Sequence, residues 1–191
     1  MKFSVFVCLV VLCAAPKLRC QNADLKALAQ EDQAFRRGAK IERSDEDRID
    51  LVLHLLAKGA DQTAEDKFNA ALVLQHTPLD FCEKRLVSKS ADNYLLAHYL
   101  AEQSFAAGYQ PARILVAQTI DRYLSFTVGR QKYGTNRVIN QETGKEELVP
   151  IDRSTTDAER AKYGVPSLKE LLKRYPEQHA EQPNKPQDAS H

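Results

Sequence analysis

Two long segments with apolar faces, joined by a short connection, constrain this fold more than any other feature of the sequence. Residues 91–107 carry apolar or small side chains at helical spacing, and Gly108 ends that pattern. Pro111 stands where the first turn of a helix tolerates proline, and residues 112–127 repeat the pattern. Because the connection is short and each segment has one apolar face, the two segments should pack as an antiparallel helical hairpin. Small side chains on both segments would allow a close approach of the helix axes (Ala97, Ala101, Ala106, Ala107, Ala112 and Ala117).

Three earlier helices are predicted from their capping residues and apolar stripes. Each begins after a side chain that can accept a hydrogen bond from the free N–H groups of a first turn (Asn22, Ser44 and Thr63). A further short turn of helix is expected at residues 81–86. The predicted fold class is therefore mainly α, built from antiparallel helical hairpins in a tetratricopeptide-like manner. No second copy of the unit recurs at a fixed period, which argues against a true repeat array.

The character of the chain changes after Gly129. Residues 137–140 and 147–151 flank a turn with Gly144, which predicts one small β-hairpin near the C-terminus and no other β-structure. Capping boxes then predict two short helices (Thr156 with Glu159, Ser167 with Glu170). The single helical domain is predicted to cover residues 22–175. Residues 176–191 have almost nothing to bury, so we expect a disordered tail there.

The N-terminus has the pattern of a secretory leader. Lys2 precedes an uninterrupted apolar run of 13 residues, which suits the core of a signal peptide and is short for a membrane span. We predict a signal peptide at residues 1–21, with cleavage between Ala15 and Asp24. The protein is then expected to be exported, either periplasmic or secreted, with no stable membrane insertion; an uncleaved anchor is the alternative. If cleavage leaves Cys20 in place, it could pair with Cys82.

Charge and motifs narrow the range of functions. The chain has 27 basic and 26 acidic side chains, so it lacks the basic excess typical of nucleic-acid binding, and we expect no nucleic-acid partner. No phosphate-binding glycine loop, nucleophile elbow, zinc-protease motif or EF-hand occurs, so no cofactor is predicted. The even spacing of His54, His76 and His98 invites a metal interpretation. Isolated histidines on helices are more often surface or core-edge residues, and no metal site is predicted.

The densest polar stretch lies at and after the end of the second hairpin helix. Asp121 and Arg122 come late in that helix, and residues 131–136 follow in a loop bounded by glycine. An arginine offers two parallel donors to a carboxylate or phosphate, and the neighbouring acid can orient it or act as a base. The alternative is structural, because Asp–Arg pairs often anchor a loop onto a helix. The candidate residues in and near this stretch are His76, Asp121, Arg122, Gln131, Tyr133, Gly134 and Thr135.

Several of these residues occur in an order that resembles a known family. The segments are Gln75-His76, Asp121-Arg122-Tyr123-Leu124 and Gln131-Lys132-Tyr133-Gly134-Thr135. They are similar to an uncharacterised bacterial domain family whose signature is a Tyr-Gly-Thr-Gln segment after an Asp-Arg helix. Asp32-Gln33, Arg36, Pro150-Ile151-Asp152 and residues 160–166 look similar too, so the resemblance covers residues 24–175. Asn136 stands where that family usually has glutamine. The resemblance implies a bacterial origin and a shared site, and it implies no particular reaction.

Two functional hypotheses follow. In the first, the chain is a binding or interaction module for a protein, a peptide or a small anionic ligand. In the second, it is a hydrolase or transferase in which His76 or Asp121 is the base, Arg122 stabilises an anion and Tyr133 lies in the same site. Convergence of His76, Asp121, Arg122, Gln131 and Tyr133 in one cleft would favour the enzyme, and separation would favour the module.

Overall fold

The structure is a computed structural model that describes residues 20–82, 85–140 and 143–175. Within these residues it contains seven helices and two small antiparallel hairpins, so the predicted mainly α class is confirmed. The helices are α1 (Ala23–Arg36), α2 (Asp45–Ala57), α3 (Ala64–Leu74), α4 (Ala91–Ala106), α5 (Ala112–Thr127), α6 (Asp157–Lys162) and α7 (Leu168–Arg174). The strands are β1 (Leu79–Cys82), β2 (Arg85–Ser88), β3 (Arg137–Ile139) and β4 (Glu146–Leu148).

The first three helices begin at the predicted caps. The Asn22 side chain accepts a hydrogen bond from the Leu25 N–H at 3.0 Å. Ser44 and Thr63 each form a reciprocal capping box with an aspartate three residues later. These caps satisfy N–H groups that have no partner inside their helices, which fixes where each helix starts.

Helices α1 and α3 lie parallel to each other. The Asn22 N–H donates to Asp66 at 2.7 Å, and at the other end the His76 ring meets Asp32 at 2.8 Å. Both contacts join residues 44 positions apart, so the two helices keep one register along their length. Helix α2 carries the chain back from the end of α1 to the start of α3. The last turn of α1 and the residues after α3 therefore meet at the same end of the bundle.

Helices α3, α4 and α5 pack antiparallel in sequence order. The Ser104 hydroxyl near the end of α4 donates to the Ala64 carbonyl at the start of α3, at 2.6 Å. The Tyr94 hydroxyl near the start of α4 donates to the Thr77 carbonyl just after α3, at 3.0 Å. Ala97, Ala101, Ala112 and Ala117 are fully buried, as close packing of α4 on α5 requires. The predicted hairpin of residues 91–127 is confirmed.

The segment after α3 corrects the sequence prediction. Residues 81–86 were expected to be helical, but β1 and β2 pair antiparallel there, with Phe81 opposite Leu86. The prediction that β-structure is confined to one C-terminal hairpin is therefore also wrong. The segment has no apolar stripe to pack on the bundle, and Phe81 is 74% exposed. A ladder satisfies the backbone groups of such a segment without requiring a buried face.

The C-terminal predictions are confirmed in outline. Strands β3 and β4 pair antiparallel within residues 137–151, with Ile139 opposite Glu146. The Thr156 and Ser167 side chains cap α6 and α7. Only Ser167 forms the predicted capping box, because the Glu159 side chain contacts Lys132 and Tyr133 instead of the backbone of Thr156. Residue 131 also forms a short parallel bridge to residue 151, which ties the loop after α5 to the segment after β4.

Other sequence predictions concern residues at or beyond the ends of the described part. The predicted signal peptide, except residues 20 and 21, and the predicted tail of residues 176–191 lie outside the described residues. Cys20 and Cys82 are both exposed and unpaired thiols, so the possible bridge between them is not formed. Within residues 20–175, apart from the two short gaps, no helix has the length and apolarity needed to cross a membrane.

Candidate functional site

The predicted site residues fall into two groups instead of one cleft. Asp121, Gln131, Tyr133, Gly134 and Thr135 lie together with Arg160, and we call these six residues the Asp121 cluster. His76 and Arg122 lie apart from these residues, together with Asp32 and Arg36, and we call these four residues the His76 cluster. Asp121 and Arg122 are consecutive in α5, so their side chains point about 100° apart around the helix axis.

The Asp121 carboxylate is fully occupied by the loop that follows α5. Its Oδ1 accepts hydrogen bonds from the N–H groups of Lys132 at 2.7 Å and Tyr133 at 2.8 Å. Its Oδ2 accepts from the N–H and the hydroxyl of Thr135 at 2.9 and 2.8 Å. Burial raises the pKa of the Asp121 carboxyl, and these hydrogen bonds offset only part of that rise. Asp121 thus anchors the loop onto α5, as in the structural alternative considered for the sequence, and both of its oxygens are occupied.

Gln131 connects this loop to the strand segment that follows β4. Its amide nitrogen donates to the carbonyls of Asn136 at 2.9 Å and Val149 at 2.8 Å, and its amide oxygen accepts from the Asn136 N–H at 2.7 Å. Its backbone bonds to Pro150 and Asp152, each at 2.8 Å. Gln131 is fully buried and every polar group it has is bonded within the protein. It is a structural residue.

Arg160 completes the Asp121 cluster, and it was not among the predicted site residues. Its guanidinium is fully buried and donates to the carbonyls of Tyr133 at 2.6 Å and Lys132 at 3.2 Å. The loop thus has its N–H groups on the Asp121 carboxylate and its carbonyls on the Arg160 guanidinium. The only sequence signal for Arg160 was its place in a segment similar to the bacterial family.

Tyr133 and Gly134 fit the same structural role. The Tyr133 ring packs edge-on against Tyr163 with 5.4 Å between ring centroids, and its hydroxyl donates to Glu159 at 3.1 Å. Burial raises the pKa of the Tyr133 hydroxyl far above its usual value, so it stays neutral. Gly134 has φ +83°, and a Cβ there would lie 2.8 Å from a methyl group of Leu171. Only glycine fits that position without displacing its neighbour.

The His76 cluster is built around a buried acid. Asp32 is fully buried, and its two oxygens lie 3.0 and 2.8 Å from Nδ1 of His76. Arg36, four residues further along α1, also contacts Asp32 at 3.4 Å. A carboxylate at Nδ1 requires the ring proton there, so the lone pair of neutral His76 is on Nε2. The His76 side chain is 16% exposed, and its Nε2 has no hydrogen bond to any described residue.

Arg122 lies beside this pair and uses little of its hydrogen-bonding capacity. Its Nη1 donates to the Gln75 carbonyl, directly before His76 in the chain. Burial lowers the pKa of the Arg122 guanidinium, Arg36 lowers it further, and the negative charge of Asp32 acts in the opposite direction. Apart from Gln75, no described residue accepts a hydrogen bond from Arg122. Its Nε and Nη2 donors are therefore left for solvent or a ligand.

A second acid holds the arginines of this region in place. Asp45 accepts from Arg36 at 2.5 Å and from the buried Arg48. Burial raises the pKa of Asp45, but the hydrogen bonds from Arg36 and Arg48 bring it below its usual value. The region therefore has three arginines (Arg36, Arg48 and Arg122) and two carboxylates (Asp32 and Asp45). Together these five side chains carry an excess of one positive charge while His76 is neutral.

Asp32, like Arg36, is a residue of this group that the sequence prediction did not select. The available signal was an acid on an apolar stripe with an arginine four residues later. Its contact with His76, 44 positions away, could not be read from the sequence.

Comparison with known proteins does not identify the chain. No family model, curated protein or solved structure matches it. The resemblance to the bacterial family with the Tyr-Gly-Thr-Gln signature therefore stays a prediction. Among the described residues, no group of three or more histidine, cysteine or acidic side chains is arranged to hold a metal ion.

Proposed function

We propose that this chain is an exported helical binding module for a small anionic ligand, free or as a group on a peptide or protein. The binding surface consists of His76, Arg122 and Arg36. The observation that carries the proposal is the arrangement at Arg122, whose guanidinium is half-buried beside His76 and bonded within the protein through one nitrogen only. Export is supported by the leader-like sequence of residues 1–21.

The chemistry of the cluster favours an anion. A guanidinium presents its donors in a plane that matches two oxygens of a carboxylate or phosphate. Partial burial strengthens such a bond, because water screens it less than at an open surface. The acid in the cluster does not repel a ligand strongly, since Asp32 is fully buried and its negative charge is paired with Arg36.

Asp121, Gln131, Tyr133, Gly134 and Thr135 are not part of the proposed surface. The polar side chains of Asp121, Gln131, Tyr133 and Thr135 are bonded to the protein, and Asp121 and Gln131 are fully buried. This separation is the arrangement expected for a module, and it removes Asp121 and Tyr133 from any enzymatic version of the site.

Titration with inorganic phosphate and with acetate tests the proposal. We expect the wild type to bind one or both anions, with shifts of the His76 ring signals in NMR spectra. Arg122→Ala should weaken binding by about ten-fold, a loss of about 1.4 kcal/mol. Arg137→Ala is the matched control, because Arg137 is a half-exposed arginine of the β3–β4 hairpin, paired there with Glu146.

Two results would contradict the proposal. One is the absence of binding of either anion to the wild-type protein. The other is equal weakening by Arg122→Ala and Arg137→Ala, which would indicate nonspecific attraction to surface charge.

A further inference from the structure

We infer that His76 is a phosphoryl acceptor, and that the anion bound beside it is the phosphoryl group of a phosphate monoester or an acyl phosphate. This inference rests on the proposed function, because it assigns the ligand class and a reaction to the same surface. It departs from the two enzymatic roles considered for the sequence, in which His76 or Asp121 was a general base.

The first argument is the state of the His76 ring. Both oxygens of Asp32 lie within 3.0 Å of Nδ1, so that nitrogen carries the proton. The ring is thereby fixed with its lone pair on Nε2, the nitrogen that has no hydrogen bond to a described residue. A histidine held in this way is a nucleophile whose reactive atom is defined before a substrate binds.

The second argument is the distribution of charge. Attack by Nε2 makes the ring cationic, and the buried Asp32 carboxylate lies where it stabilises that charge at short range. A phosphoryl group carries its negative charge on the opposite side of the new bond. The free donors of Arg122 and the partly exposed Arg36 are the cations available for those oxygens.

The reaction can be written with its atoms and electrons balanced. The Nε2 lone pair forms a bond to phosphorus, and the bond from phosphorus to the ester or acyl oxygen breaks. The leaving oxygen keeps the electron pair; an alkoxide then takes a proton from water, whereas a carboxylate needs none. The ring keeps its Nδ1 proton and becomes a phosphoimidazolium paired with Asp32.

A second displacement returns His76 to its starting state. A water oxygen bonds to phosphorus, the bond between phosphorus and Nε2 breaks, and the electron pair returns to the ring. One water proton goes to solvent and inorganic phosphate leaves. In this scheme Asp32 is a positioning residue, because it acts through His76 and touches no reacting atom.

The test uses acetyl phosphate as the donor and mass spectrometry under alkaline conditions, where a phosphohistidine survives. We expect a phosphoryl group on the peptide that contains His76, at about ten-fold higher occupancy than on His54 or His98, with the ten-fold ratio corresponding to about 1.4 kcal/mol. His54 is exposed on α2, and Nδ1 of His98 contacts the Val116 carbonyl at 3.1 Å, so these two are internal controls for chemical labelling. Inorganic phosphate should suppress labelling of His76 and leave the controls unchanged.

Asp32→Asn separates a positioning role from a structural role. The variant should bind inorganic phosphate no more weakly than the wild type, because a nearby negative charge is removed, while labelling of His76 falls by about ten-fold or more. If this variant does not fold, the inference is tested by the wild type alone, through suppression of His76 labelling by inorganic phosphate. Loss of phosphate binding and labelling together in a folded variant would contradict the positioning role.

Each other outcome has one meaning. Phosphate binding without preferential labelling of His76 overturns the inference and leaves the proposed binding function intact. Equal labelling of all three histidines also overturns it, because it shows only ordinary imidazole reactivity. Absence of both binding and labelling overturns the inference and the proposed function together.

Discussion

The Asp121 cluster and the His76 cluster each contain a fully buried aspartate and an arginine, yet they differ in what those charges hold. Asp121 binds three backbone N–H groups and a hydroxyl, and Arg160 binds two carbonyls of the same loop. Asp32 instead binds side chains, the His76 ring and Arg36 among them. A buried acid is therefore not in itself the mark of a functional site. What separates the two clusters is whether the groups held by the acid still have unbonded atoms that face outward.

Replacement of the two aspartates should give the largest contrast. Asp121→Asn should lower the free energy of unfolding by about 4 kcal/mol, because an amide nitrogen would face the Thr135 donors and leave them unpaired in a buried site. Asp32→Asn should lower the free energy of unfolding by roughly 2 kcal/mol, a smaller loss, because Arg36 keeps its other partner, Asp45. Urea unfolding monitored by circular dichroism measures both changes.

Asp50→Asn serves as the control for that pair, because Asp50 is an exposed acid on α2. It should change stability by less than about 0.5 kcal/mol. A smaller loss for Asp121→Asn than for Asp32→Asn would reverse the roles assigned to the two clusters.

Two glycines with similar backbone angles provide the next test. Gly134 in the Asp121 cluster has φ +83° and little room for a Cβ, whereas Gly144 in the β3–β4 turn has φ +67° and no atom within 4 Å of that position. Gly144→Ala should cost about 1 kcal/mol, from backbone strain alone. Gly134→Ala should cost about 3 kcal/mol, because overlap with Leu171 and Ile151 adds to the same strain.

Thermal and urea unfolding of the two alanine variants give the comparison directly. Equal losses would mean that Leu171 and Ile151 move aside freely, and that packing around the loop is loose.

The smallest expected effect is a pH dependence at the edge of the Asp121 cluster. The hydrogen bond from Lys132 holds the pKa of Glu159 below its usual 4.5, with a further contribution from the Tyr133 hydroxyl. Because the folded-state pKa is lowered, this stabilisation is fully present above pH 4.5 and is lost as the pH falls through the folded-state pKa. Glu159 is 38% exposed, so solvent screening limits the effect to about 0.5 kcal/mol.

Unfolding of the wild type and of Glu159→Gln at neutral and acidic pH measures this contribution. On acidification the free energy of unfolding should fall by about 0.5 kcal/mol less in the variant than in the wild type. An identical pH dependence in the two proteins would show that the contact of Glu159 with Lys132 contributes nothing to stability.

The helices of this protein could be predicted from the sequence because their signals are local. Ser44 and Thr63 mark the starts of two helices, because each can bond to the residue three positions later. The α4–α5 hairpin follows from two apolar faces and a short connection. The β1–β2 hairpin was missed because its segment has neither a buried face nor glycine at the turn, which are the features that identify strands and hairpins in a sequence.

Only part of the candidate site could be predicted from the sequence, because some of its contacts join residues that are far apart in the chain. Asp121 bonds to loop residues 11 to 14 positions later in the chain, which is close enough for the sequence to suggest that an Asp–Arg pair anchors the loop onto the helix. His76, Asp32 and Arg122 come from three separate helical regions, and their meeting depends on how the bundle packs. Arg160 reaches the loop from 27 residues away and was missed for the same reason.

The parallel register of α1 and α3 makes the His76 cluster depend on a contact between residues that are far apart in the chain. The contact of Asp32 with His76 closes a loop of 44 residues, and closure of a flexible loop of that length costs about 3 kcal/mol in chain entropy. One partly exposed hydrogen-bonded pair does not supply that energy, so burial of apolar residues such as Leu25 and Val73 must do so. No fragment that ends before residue 76 contains the pair. The pair therefore depends on the packing of the bundle, and a core substitution that separates α1 from α3 would abolish it without changing either residue.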